Sequence, residues 1–151
     1  VGKDAQAFDP IPSFSPEHFA TALILDPMKR KQLTKGIEQL SEEGVVQMYR
    51  VPGMGDKDLV LGAVGALQLE VLAHRLGGEY NVPAKIEKLP YVHARWVVPS
   101  APGGALPDIR HLEREDTKPV FDRDGNPVLL FKSDWALRWT ESNHAGIKLL
   151  T

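Results

Sequence analysis

Apolar residues recur at two different periods along this chain, and the switches between them lay out its elements. EHFATALIL (residues 17–25) is rich in β-branched and aromatic residues and ends at Asp26-Pro27. That predicts a strand and then a helix, with Asp26 as N-cap and Pro27 in the first helical position. Leu33, Ile37 and Leu40 recur at helical spacing until Gly44 stops the run. VVQMYRV (45–51) and DLVLGAV (58–64) are β-prone runs joined by PGMGDK, which predicts a hairpin with a glycine-bearing loop. In ALQLEVLAHRL (66–76), Leu69, Leu72, Ala73 and Leu76 form an apolar stripe that Leu67 and Val71 widen, and Gly77-Gly78 is expected to end the helix in a left-handed turn. NVPAKIEKL (81–89) follows as a strand, which Pro83 confines to an edge or to a strand start. The order is βαββαβ.

From Tyr91 the same order returns without sequence self-similarity. VHARWVV is a strand, residues 105–115 are expected to hold a short helix, and KPVFD and PVLLFK flank a turn at Asp124-Gly125. Ser133 is the N-cap for DWALRWTESN, and GIKLLT closes as a strand. The expected class is α+β: two abutting βαββαβ units of the ferredoxin-like, split βαβ kind, each with helices on one face of an antiparallel sheet. Residues 1–16, with Pro10, Pro12 and Pro16, read as an extended connector from a preceding domain; residues 17–90 form the first unit and 91–151 the second.

Length and composition add bounds. The chain's 151 residues suit one ordinary domain or two small abutting units, and 42% apolar with 25% charged residues is globular. Without Cys there is no disulfide framework and no thiolate metal site, so a cytoplasmic protein is expected. No run approaches the length of a membrane helix, and no membrane partner is expected. A chain opening on Val1 is expected to be a piece of a longer or processed protein. The net charge of -2 argues against a surface wholly adapted to nucleic acid. The charge is uneven, however: residues 28–50 hold five basic and three acidic residues, against one and four in residues 1–27.

Candidate chemistry is sparse. Gly62-Ala63-Val64-Gly65 lacks the spacing of a dinucleotide fingerprint and the Lys-Ser/Thr ending of a P-loop, so Gly62 and Gly65 are read as packing devices that let a helix turn closely off a strand. The five histidines show no metal-ligand spacing, and no nucleophile elbow or assembled acid–base pair supports a small hydrolase. No catalytic, cofactor or metal residue is assigned in this chain. Trp96, Trp135 and Trp139 are expected in a core or seam rather than stacked on bases. The first helix is unusual, because Lys29, Arg30 and Lys31 crowd its positive end and Glu42 and Glu43 its negative end. Two readings stay open: a basic end meeting phosphate or an acidic partner, with Lys35 one turn on, or a solvated end held by tertiary packing.

One stretch also carries a family likeness. GAVGALQLEVLAHRLGGEYNVPAKIEKLPYVHARWV resembles the third, C-terminal domain of the peptide chain release factor three family of bacterial translational GTPases, through Gly62 to Gly65, Leu67-Gln68, Arg75-Leu76, Glu79-Tyr80-Asn81-Val82 and Ala94-Arg95-Trp96. IPSFSPEHF and LDPMKRKQLTKGIEQLSEEGVVQMY extend the likeness upstream, so it covers about residues 11–97. The equivalent domain of elongation factor G opens this helix with a Gly-Glu-Leu-His-type start, whereas Gly65-Ala66-Leu67-Gln68 favours the release factor. The resemblance implies a domain that contacts small-subunit ribosomal RNA and a ribosomal protein, in a protein that promotes dissociation of stop-codon-reading, class I release factors. GTP or GDP and Mg would belong to the GTPase domain of the parent, which with a barrel domain would partner this one. This chain has no P-loop motif and is not expected to be an enzyme by itself. In that role the candidate contacts are Lys29, Arg30, Lys31 and Lys35 with Met54 and Lys57 of the hairpin loop. The alternative is a stand-alone ferredoxin-like regulatory domain that binds a small metabolite at a dimer interface.

Overall fold

The computed structural model describes residues 15–55, 58–101, 103–104 and 108–151. In chain order its elements are β1 (His18–Ile24), α1 (Arg30–Glu42), β2 (Gln47–Arg50), β3 (Leu59–Ala63), α2 (Ala66–Glu79), β4 (Ala84–Leu89), β5 (His93–Pro99), β6 (Thr117–Asp122), β7 (Pro127–Phe131), α3 (Asp134–Asn143) and β8 (Ile147–Leu150). The class is α+β with antiparallel pairing between all neighbouring strands. Where a second-half helix was expected at residues 105–115, a 3-10 turn spans Ile109–Leu112; residues 105–107 lie outside the described ones.

Rather than two sheets side by side, the strands form one sheet in the order β4-β1-β3-β2-β6-β7-β5-β8. The seam is short: Tyr49 pairs with Asp122 and Arg50 with Phe121, so the open edge of β2 finds the open edge of β6. Alternation along each strand then divides the molecule into layers. Ala20, Met48 and Leu61 face α1 and α2, with Leu33, Ile37, Leu40, Leu69, Leu72 and Leu76 closing that core. Val97, Leu129 and Phe131 face Ala136 of α3 with Ile109 and Leu112. The intervening residues Phe19, Tyr49, Val60, Trp96, Val120, Val128 and Leu130 form a third core that contains no helical residue.

That third core is buried because the sheet curls onto itself. β4 and β5 are six strands apart in the sheet order, about 29 Å if flat. Only Pro90, Tyr91 and Val92 separate Leu89 from His93, a reach of at most about 14 Å. Phe19 meets the Tyr91 ring edge-on, 6.2 Å between centroids, inside the curl. The helices therefore lie on the outer, convex face.

Two glycines are there for close approach. A Cβ on Gly62 would lie 2.9 Å from Pro16 and 3.1 Å from the Tyr49 ring, so this residue admits the entering chain to the concave face rather than a helix to the sheet as expected. Helix contact is made instead at Gly36, where a Cβ would lie 2.9 Å from Leu76 and 3.0 Å from Tyr80. α2 also runs through Gly77 and Gly78; the left-handed residue that ends it is Asn81, φ 54°.

Candidate functional site

The basic start of α1 is built from β1 outward. Asp26 caps a 3-10 turn over Pro27–Lys29, its Oδ1 accepting the Met28 N–H at 3.0 Å, and α1 continues from Arg30. Register puts other elements at the same end of the sheet: Ile24 pairs with Ala84, so the end of α2 arrives beside it, and Thr21 Oγ1 donates to the Leu59 carbonyl at 3.2 Å. The β2–β3 loop therefore emerges on this side too. Met54 sits on it between Gly53 (φ 81°) and Gly55 (φ 60°), two positions that a side chain disfavours, and is 42% exposed. Lys57 lies outside the described residues.

The four basic residues predicted at the start of α1 separate into two kinds. Lys29 is engaged: its Nζ donates to the Asn81 carbonyl at 2.8 Å, supplying a cation to the end of α2, whose own last turn has none. At the other end of α1, Glu43 accepts two hydrogen bonds from Arg75, at 2.6 and 3.3 Å, and Arg75 also binds Glu79. The Arg75 bond, then its charge, holds the Glu79 carboxyl below its ordinary range. Two charges that oppose the α1 macrodipole thus fasten α1 across α2, on either side of the Gly36 contact. Arg30, Lys31 and Lys35 are exposed and have no hydrogen bond or ion pair among the described residues. Arg30 borders a shallow hollow of about 30 Å³ lined by Thr21, Ile24, Leu33 and Thr34.

Sequence reasoning missed the apolar half of this surface. Met28 is 89% and Leu25 65% exposed, directly before the basic residues. The signal was present in the Leu25-Asp26-Pro27-Met28 run, where the strand has ended and no helical face yet exists to bury a side chain.

The tryptophans divide as well. Trp96 is buried as expected, and its Nε1 donates to Asp122 Oδ2 at 2.9 Å. Trp135 is instead 59% exposed, and the Arg114 guanidinium stacks 3.7 Å above Trp139. Burial holds the Tyr49 phenol far above its ordinary range, reinforced by Asp122, and its hydroxyl donates to Gln47 at 2.9 Å. Among the described residues no three His, Asp or Glu side chains converge as metal ligands, and no helix is long and apolar enough to cross a membrane.

Comparison with known proteins places the sequence in a family. The family described as Class II release factor RF3, C-terminal domain, matches residues 8–141. Peptide chain release factor 3 of Symbiobacterium thermophilum is 45% identical over 141 residues, covering 93% of this chain and 26% of that protein. The proteins of that name from Streptococcus pneumoniae and Streptococcus gordonii are each 38% identical over 149 residues, 99% of this chain and 27% of theirs. The chain therefore spans about a quarter of the length of these relatives. By the extent of these matches, it belongs to the family of class II release factor RF3 C-terminal domains.

Proposed function

We propose that this chain is the ribosome-contacting C-terminal domain of a translation-termination GTPase that promotes dissociation of class I, stop-codon-reading release factors. Two split βαβ units on the ferredoxin-like plan, residues 17–90 and 91–151, are fused edge to edge behind a connector that ends at residue 16. The strand orders β4-β1-β3-β2 and β8-β5-β7-β6, each local order 4-1-3-2, support that division. The protein acts in the cytoplasm. GTP and Mg are held by a preceding GTPase domain that, with a barrel domain, partners this one; this chain has no P-loop motif of its own.

The observation that carries the contact role is the free basic surface at the α1 start. Arg30, Lys31 and Lys35 gain nothing from the α1 dipole, yet no described group pairs with them. A phosphate backbone of small-subunit RNA supplies the missing charge, and exposed Met28 and Leu25 beside it suit an adjoining ribosomal protein. Lys29 contributes charge while holding α2, and Met54 extends the surface along the hairpin loop.

Sedimentation of the full-length release factor with ribosomes tests this. Arg30→Glu with Lys31→Glu is expected to reduce the bound fraction at physiological salt while Glu141→Lys, exposed on α3, leaves it unchanged. Equal binding by all three proteins would remove the α1 start from the interface.

A further inference from the structure

We infer that the outward face of α2, formed by Val64, Leu67 and Val71, is the seat of an apolar surface on the domain that precedes this one in the longer release factor. This rests on the reading above that such a domain is joined to the chain, and it assigns the place where it packs.

Leu67 and Val71 were expected to widen the apolar stripe of α2 that packs inward, and they do not. Val64 is 49%, Leu67 66% and Val71 36% exposed, whereas Leu69, Leu72 and Leu76 fill the core. Leu67 and Val71 are one helical turn apart on the same face, next to Val64 at the strand end. The neighbouring residue Gln68 is accounted for within the fold, since its Oε1 accepts the Gly65 N–H at 3.1 Å and caps the helix. Leu67 has no such use.

The occupant is indicated by where the chain comes in. Glu17 donates its N–H to the Ala63 carbonyl at 3.0 Å, and Pro16 is buried against Gly62. The entering segment is thus fixed one residue from Val64. Relatives are about four times longer than this chain, and the family is a C-terminal domain, so their remaining length precedes the entry point. A domain tethered there meets the Val64-Leu67-Val71 face at high effective concentration. Between Val64 and Leu69 the face carries no charge, with Glu17 and Glu70 at its margin, the pattern of an apolar contact with a polar rim.

The test needs no ribosome. Hydroxyl-radical footprinting of the full-length protein and of this 151-residue chain reads side-chain access directly. Leu67 and Val71 are expected to be oxidised about tenfold more slowly in the full-length protein, with Met28 labelled equally in both. Equal rates at Leu67 would overturn the proposal, as would concentration-dependent protection in the isolated chain, which would assign the face to a second copy. Leu67→Glu with Val71→Glu in the full-length protein is expected to enlarge its radius of gyration while leaving the melting of the isolated domain in place; an unchanged radius also overturns it. Loss of protection with ribosome binding intact would refute this packing alone, and protection without ribosome binding would refute the functional reading alone.

Discussion

Lys29 and Asn81 are separated by 52 positions in sequence, yet the Lys29 ammonium donates to the Asn81 carbonyl at 2.8 Å and fixes the start of α1 to the end of α2. A basic residue at a helix N-terminus, unfavourable for its own helix, is favourable for the C-terminal end of its neighbour. Lys29→Ala is therefore expected to destabilise the domain by about 1 kcal/mol, the net worth of such a bond. Arg30→Ala and Lys31→Ala should stay within about 0.5 kcal/mol. Urea denaturation of the three variants checks this, and an equal effect at all three positions would contradict the distinction.

Gly62→Ala places a methyl group 2.9 Å from Pro16 and 3.1 Å from Tyr49, both of them buried. Relief requires displacing the entering segment or the Tyr49 ring, so a loss of about 1–3 kcal/mol is expected, with the native fold retained. Denaturant midpoints measure it. A neutral substitution would mean that Pro16 is not held against the sheet.

Asp122 stands at the seam between the two halves, and its carboxylate organises the half to which it belongs. Beyond pairing with Tyr49, it accepts from Trp96 Nε1 at 2.9 Å and, through Oδ1, from the Asp124 and Asn126 amides at 2.9 and 2.8 Å. Asp122→Ala leaves those donors unpaired and should cost about 2–3 kcal/mol. Asp122→Asn is expected to retain part of the difference, and Trp fluorescence during unfolding should report the loss at Trp96.

Much of the fold was legible because single elements obey local rules. Period-2 alternation in Phe19–Ala20 and Met48–Tyr49, and helical spacing in Leu33, Ile37 and Leu40, reflect which face each element buries. Continuity of the sheet was not legible, since it depends on the pairing of β2 with β6, partners about 70 residues apart that carry no local signature. Leu67 and Val71 misled because apolar periodicity reports burial without saying whether this domain or another supplies it. The basic α1 start was legible as charge, but its division into an engaged Lys29 and free Arg30, Lys31 and Lys35 required knowing that Asn81 lies alongside.

Asp134 opens α3 and accepts a hydrogen bond from His93 Nε2; that bond and the His93 charge, then Arg138 and Arg95, hold its carboxyl below its ordinary value. A depressed folded-state pKa contributes stability above the unfolded value of 3.8, and the contribution is lost as pH falls through the lower folded value. Asp134→Asn should therefore be less stable than the parent at neutral pH and equal to it once the folded-state carboxyl is protonated. Denaturation midpoints across that acid range check the convergence; a constant gap would mean that the charge of Asp134 is not what matters.

The most direct test of a phosphate-facing α1 is the salt dependence of ribosome binding by the full-length release factor. Each phosphate contact adds about 0.7–0.9 to the slope of log affinity against log salt. Replacing Arg30, Lys31 and Lys35 together by Gln is expected to weaken binding and lower that slope by about 2. The same affinity and the same slope as the parent at every salt concentration would contradict the account.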